Sequence, residues 1–498
     1  MSPHLKSQNV AHATKSKELD TYYKDHKSVV QYVVALIKDF SKHLPLSVYS
    51  GAAQAKDIEC VERRMKSEGL TFATQTLPKL SEGLFQYFET GYVNYPSFAL
   101  DKHGVHPVFL RKLFSLACRD SEHKVTAIKL IYQISTMFSK LKGPYPHSVL
   151  RKQLADFVEV DKMLGNLDWF DPTTLAIMQQ ARVEIRTLFE NNDVILRAKP
   201  RPGPGATNTP VAKHLRYRPH VLYTQIDKVL DYTEFFSVNP LDNIHQTKKW
   251  VTLYNKKRDF PTSRQKFVHK KVGKARGICI EENDVMFMQQ AFRYSLYDWI
   301  EKHPLTKGRI CFRDQSVNQT LALASSWTGQ MATLDESEAS DRIARELVSW
   351  LYQDTDIHDI LMALSTRVIE FPKEFDEPPL RTNKYAPMGS ALCFPIMASV
   401  HWALIRAILL LHGNTSASRE EIYVYGDDII LPIRHVDLVL THLPRFGIKL
   451  NVSKSFYRSG FRESCGVHAY NGVNITPVYV KHIPVSPSIT FAMSCIAS

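Results

Sequence analysis

The chain is 498 residues long, 44% hydrophobic, 11% aromatic and 23% charged, with a formal net charge of +13 at neutral pH. Such a length exceeds what one hydrophobic core usually serves, so two or more subdomains are expected in a chain of this ordinary folded composition. No run of 18 apolar residues occurs; the nearest candidate, WALIRAILLL at 402–411, is short, broken by Arg406, and reads as a buried helix and not a membrane span.

In chain order, the first twenty residues lack an apolar stretch and do not read as a secretory signal. Residues 1–195 read as mostly helical, with apolar periodicity at 29–44 and 125–141. The compositional break KPRPGPGATNTP, 199–210, suits neither a helix nor a central strand and fits either a passive linker or a functional loop. It opens a basic window, 197–276, that carries 18 Lys and Arg against 5 Asp and Glu and so holds the whole excess charge. A solvated surface and a phosphate-binding channel account for that window equally well on charge alone.

From 265 onward the texture is α/β. QMATL (330–334) predicts a short strand ending at Asp335, and 342–353 has helical spacing. APMGS (386–390) is a loop leading into a long apolar helix at roughly 391–412. EIYVY (421–425) and DIILP (428–432) predict two strands around a Gly-Asp-Asp turn; 436–447 is helical and 448–457 extended. Antiparallel strands backed by helices bury one sheet face and turn the other toward a cleft. The seven cysteines are scattered and never in CxxC spacing, so neither a zinc site nor a disulfide framework is signalled and a reducing cytoplasm fits.

A Gly-Asp-Asp turn alone is an ordinary hairpin. Its meaning depends on Asp335, whose strand can run beside the hairpin and bring Asp335 and Asp427 to neighbouring strand ends. Unit charges about 4 Å apart repel by a few kcal/mol at an effective dielectric near 20, so such a pair needs protonation, basic neighbours or cations. Hard oxygen ligands favour Mg²⁺, which needs one or two carboxylates plus substrate phosphates, and two such ions clamp in-line phosphoryl transfer. Asp341, six residues after Asp335, is placed either to meet a ribose 2′-OH or simply as a helix N-terminal acid.

DESEASDR (335–342), APMGSALCFP (386–395), YVYGDDIILP (423–432) and FRESCGVHAYNGVNITPVYVK (461–481) occur in that order. Together they resemble the palm motifs of RNA-dependent RNA polymerases, most closely the replicases of single-stranded RNA bacteriophages of the levivirus group. VHKKVGKARGICIE (268–281), GPGAT (203–207) and DQSVNQ (314–319) are similar to further replicase segments, so the resemblance covers roughly 200–485. It implies an α+β right-hand polymerase with fingers, an antiparallel-sheet palm and a thumb that is short or missing. On that pattern 1–195 is a helical part of the fingers and 196–330 the basic fingers with the NTP-gripping segment. Palm is expected at 331–354 and 385–470, a fingers insertion at 355–384, and the start of a truncated thumb at 471–498.

The resemblance implies template-directed addition of NTPs to an RNA 3′-OH. Asp335 and Asp427, assisted by Asp428, would hold two Mg²⁺ ions, with Mn²⁺ as a substitute. Asp341 would read the ribose hydroxyl, and Gly389 and Ser390 would open the long helix close to the nascent base pair. Lys270, Lys274 and Arg276 would neutralise the triphosphate, and Lys454 would donate a proton to pyrophosphate. Template RNA, host elongation factors Tu and Ts and a ribosomal protein are the implied partners, with no membrane, in the cytoplasm of the bacterial host. A reverse transcriptase and an inactive RNA-binding relic are the alternatives.

Three departures from the family pattern stand out. Glu336 and Glu338 replace apolar or small residues of the usual Leu-Ser-x-Ala-Ser-Asp. The fingers lysine falls four residues after Lys270 where three is common, and the chain ends 18 residues after Val480.

Overall fold

The computed structural model describes residues 27–482 without 41–42, 46, 144, 210, 238–240, 242–243, 245–246 and 414–420. The outer parts of the first and last expected regions, 1–26 and 483–498, lie outside the described residues. The mixed α+β expectation holds: helices share the chain with three small sheets.

The N-terminal stretch is helical, as its periodicity predicts. Helix α1 (Lys27–Phe40) buries Val29, Val33 and Ile37, spaced four apart on one face. Helix α2 (Gly51–Glu68) starts where Ser50 Oγ accepts the Ala53 N–H and ends at Gly69, φ +59°. Helices α3 (Pro78–Thr90), α4 (Lys124–Thr136), α5 (His147–Gly165) and α6 (Pro172–Leu188) follow. Asp171 caps α6 by accepting the Thr174 N–H at 2.9 Å, with Pro172 in the first turn.

Strands β1 (Thr262–Lys271) and β2 (Lys274–Glu281) form an antiparallel hairpin turned at Gly273, φ +69°. They are followed by helices α7 (Asn283–Lys302) and α8 (Ser316–Thr328), strand β3 (Met331–Leu334) and helix α9 (Arg345–Tyr352). Strands β4 (Val368–Glu370) and β5 (Leu380–Arg381) complete the first sheet, in the order β2-β1-β4-β5. Helix α10 (Cys393–Leu411) precedes β6 (Tyr423–Tyr425) and β7 (Asp428–Pro432), which join β3 in the order β3-β7-β6, all antiparallel. Helix α11 (Val436–His442) leads to a meander of β8 (Phe461–Ser464), β9 (Val467–Tyr470) and β10 (Val473–Asn474).

Helix α10 is the one described helix long and apolar enough to cross a membrane, but nearly all of it lies inside the protein. Arg406, which interrupts its apolar run, is answered by Glu184 of α6, Nε to Oε2 2.5 Å. Breaking such a buried pair from one side costs about 3–5 kcal/mol, which ties α6 to the helix under the central sheet.

Packing divides the N-terminal stretch among three cores. Helices α1–α4 share a core with the meander, where the Phe85 ring stacks on Phe461 with centroids 3.8 Å apart. Glu89 at the end of α3 accepts the backbone N–H groups of Tyr457, Arg458 and Ser459. Helix α5 lies against the β1–β2 sheet through Leu150, Leu154 and Phe157, and α6 packs on α10 in the largest core.

Candidate active site

Tyr425 pairs with Asp428 across a two-residue turn of Gly426 and Asp427, in which only Gly426 has positive φ, +67°. A glycine at the first central position is what a type II′ hairpin requires. A Cβ there would also collide with the Phe394 ring of α10. β3 runs antiparallel to β7 with Leu334 opposite Ile429, so Asp335 leaves its strand beside the acid pair. Asp335 and Asp427 line one cavity of about 890 Å³, together with Asp341, Gly389, Ser390, Lys270, Arg276 and Lys454. Eight of the ten residues singled out in the sequence thus meet in one place.

The two others do not line the cavity. Lys274 stands at the tip of the β1–β2 hairpin, opposite Lys271. Asp428 is set back, where Ser464 Oγ donates to its Oδ1 at 3.2 Å. Burial, followed by the neighbouring Asp427, pushes Asp428 up to about 6, against a hydrogen bond from the Cys465 backbone. Burial also raises Asp335; Lys454 and Asn451 lower it again, while Glu463 and Asp427 add to the rise. Lys454 Nζ lies 3.6 Å from Asp335 Oδ2. Burial pulls the Lys454 ammonium down, but Asp335 and Glu463 more than offset this and leave it raised.

The segment 448–457 is not the continuous extended stretch its residues predict. It makes single bridges at Leu450, to Glu336, and at Phe456, to Thr333, with a 3-10 turn, Val452–Lys454, between them. The turn carries Lys454 over Asp335, and Asn451 Nδ2 donates to Asp335 Oδ2 at 3.0 Å. Two other placements also differ in detail. Asp341 sits in a 3-10 turn, Ala339–Asp341, ahead of α9, and not in the helix itself. The long helix begins at Cys393, so Gly389 and Ser390 lie in the loop before it. Gly389 has φ +126°, and a Cβ there would strike the Cys279 carbonyl of β2; the close approach that glycine permits is made to the β1–β2 hairpin.

The basic wall has its own local device. His269 pairs with Ala275 and Lys271 with Lys274, which leaves Lys270 as an extra residue in a β-bulge. The four-residue spacing from Lys270 to Lys274 is absorbed there, and Lys270 is re-aimed into the cavity with Arg276. Burial and then the charges of Arg276, Lys454, Lys274 and Lys271 lower Lys270, so the cations crowd one another as the acids do. A polyphosphate and divalent cations placed between them would relieve both imbalances.

Sequence reasoning missed Asn451, Glu463, and Gln153 and Asp156 of α5, which also line or charge the cavity. Position beside Lys454 and inside FRESCG was a signal for the first two. Nothing local marks the α5 pair, which long-range packing brings in. Asp335, Asp427 and Asp428 are hard oxygen donors that suit Mg²⁺. Among the described residues no three His, Cys, Asp or Glu groups converge as a preformed metal cage, and a site that shares its ion with substrate phosphates needs none.

Carboxylates and cations thus line one cavity beside antiparallel strands, a donor set that suits phosphate groups and hard cations. A family model described as RNA replicase, beta-chain, matches residues 241–493, and the chain belongs to that family. It is 33% identical over 206 residues to the RNA-directed RNA polymerase beta chain of Escherichia phage MS2, covering 41% of this chain and 35% of that one. It is 33% identical over 217 residues to the RNA-directed RNA polymerase subunit beta of Qbeta virus (strain MX1), covering 43% and 34%. The beta chain of Enterobacteria phage fr is 32% identical over 206 residues, covering 41% and 35%. The matched stretch spans about a third of the length of these relatives.

Proposed function

We propose that the chain is an RNA-directed RNA polymerase of right-hand architecture, copying a phage RNA template from NTPs in the cytoplasm of a bacterial host. The observation that carries this is the single cavity in which Asp335 and Asp427 face Lys270 and Arg276. On this reading β8 and β9 would close the palm, a thumb would begin at 471, and β1–β2 would belong to the fingers.

Asp335 and Asp427, with Asp428 behind them, would hold two Mg²⁺ ions. Bound there, the ions supply Lewis-acid stabilisation of the attacking 3′-oxygen and of the leaving pyrophosphate. The protein's own groups do the positioning. Lys270 and Arg276 draw in the triphosphate, Asp341 accepts from the ribose hydroxyl, and Lys454, protonated beside Asp335, stands ready to donate to the departing pyrophosphate. The partners of this reading are template RNA and NTPs, with elongation factors Tu and Ts and a ribosomal protein as host subunits.

Incorporation of labelled NTP on an RNA template tests the proposal. Asp427→Ala is expected to lower the rate by about 10²–10³-fold, the scale of losing one electrostatic stabiliser. Equal rates in mutant and parent would remove the site from the mechanism.

A further inference from the structure

Glu336 stands where the family pattern has an apolar residue, next to the first aspartate of the site. Its side chain is 1% exposed and turns inward, with Oε2 3.3 Å from Nε2 of His401 on α10, a side chain that is 0% exposed. His401 Nδ1 lies 3.1 Å from the Gly426 carbonyl oxygen. A carbonyl only accepts, so Nδ1 carries the hydrogen and Nε2 is the atom turned to Glu336. Neither Glu336 oxygen, nor His401 Nε2, has a hydrogen-bond partner among the described residues. Buried polar groups without hydrogen bonds cost about 1–3 kcal/mol each, and the 3.3 Å approach of Glu336 to His401 is the polar contact that offsets part of that cost.

We propose that Glu336 and His401 are a positioning pair that pins the Gly-Asp-Asp turn to the strand end bearing Asp335. Three elements meet in it: the exit of β3, helix α10 and the β6–β7 turn. The backbone of Glu336 is bonded to Asp335, and the Gly426 carbonyl belongs to the peptide that leads into Asp427. The pair therefore adds one buried contact to the β3–β7 ladder that already sets the two acids side by side. A leucine at 336 would leave His401 Nε2 facing an apolar side chain, so the carboxyl beside Asp335 is the polar neighbour of this buried histidine. The pair acts on acids that hold the metal and does not itself touch substrate. It rests on the metal-holding role proposed above for Asp335 and Asp427, and on the polymerase reading for its kinetic consequence.

The test uses the full chain as Glu336→Leu, His401→Leu, the double variant, and Glu336→Gln, which keeps the side chain's shape and a polar head toward Nε2. Mn²⁺ binding is followed by electron paramagnetic resonance, NTP incorporation by kcat and KM, and folding by the thermal midpoint. Each Leu variant is expected to bind Mn²⁺ at least fivefold more weakly and to lose at least tenfold in kcat, with the NTP KM within twofold. The double variant should be no worse than the worse single, and Glu336→Gln should recover most of the Mn²⁺ affinity. Mn²⁺ affinity and kcat unchanged in the Leu variants, or losses that multiply in the double, would overturn the pair. If the Leu variants do not fold, Glu336→Gln and His401→Asn decide it. Retained affinity in the first and weakened affinity in the second support the pair; the same affinity in both refutes it. A parent chain that incorporates no NTP removes the proposed function, while the Mn²⁺ arm still reads the pair.

Discussion

Glu281 ends β2 at 1% exposure, between the basic hairpin and α7. Burial pushes its carboxyl from 4.5 up to about 7, although Thr366 and Gln289 hydrogen-bond to it. Because the folded-state value is the higher one, its contribution to stability is complete below about pH 4.5 and is lost as pH rises through about 7. At pH 8 the native state therefore bears a penalty of about 3 kcal/mol that the unfolded chain escapes. Glu281→Gln keeps the shape and one acceptor while removing the charge. Denaturant unfolding should show the variant more stable than the parent at pH 8, with the difference vanishing toward pH 4.5. A difference independent of pH would mean that packing, and not ionisation, governs the position.

At the scale of elements, the β6–β7 hairpin carries two demands on one residue. Gly426 must adopt φ +67° and leave room for the Phe394 ring. The conformation alone costs an alanine about 1–2 kcal/mol, and the ring contact adds a displacement of the turn that carries Asp427. Gly426→Ala should therefore lower NTP incorporation by about tenfold or more, since small misplacements of reacting groups are costly. Phe394→Leu in the same chain should restore part of that loss by freeing space. No recovery would leave backbone strain as the whole cause. The hairpin itself was legible in the sequence, because strand alternation and the glycine are local signals, and so was α10, set within two residues of its ends. The broken segment 448–457 was not, because its 3-10 turn exists to bring Asn451 and Lys454 to Asp335 across the sheet. The bulge at Lys270 was visible only as an odd spacing until the pairing partners of its neighbours were known. The site acids were legible from residue type and order; Gln153 and Asp156 were not, since their place depends on how α5 docks against a hairpin formed about a hundred residues later.

Across the whole molecule, contacts between distant parts of the chain close the site. Glu89 reaches backbone N–H groups as far as 368 to 370 residues downstream, and Phe85 stacks on Phe461. The N-terminal helices thus support the meander behind Asp428, while the basic window enters the cavity only through its last part, Lys270 and Arg276. Other cations of the window, Lys256 and Lys257 among them, are exposed away from the cavity, where a polyanion longer than a triphosphate could meet them. Binding of single-stranded RNA should therefore depend steeply on salt. With about six phosphates neutralised, affinity falls on the order of a few hundredfold between 50 and 200 mM salt, because each contact contributes about 0.7 to the log–log slope. Lys256 and Lys257 are exposed and stand outside the cavity. Their double change to Gln should reduce the slope by up to about 1.4 and leave incorporation at saturating RNA within twofold. Filter binding across a salt series measures the slope directly. A flat affinity would mean that the window is solvated surface and that RNA is held elsewhere.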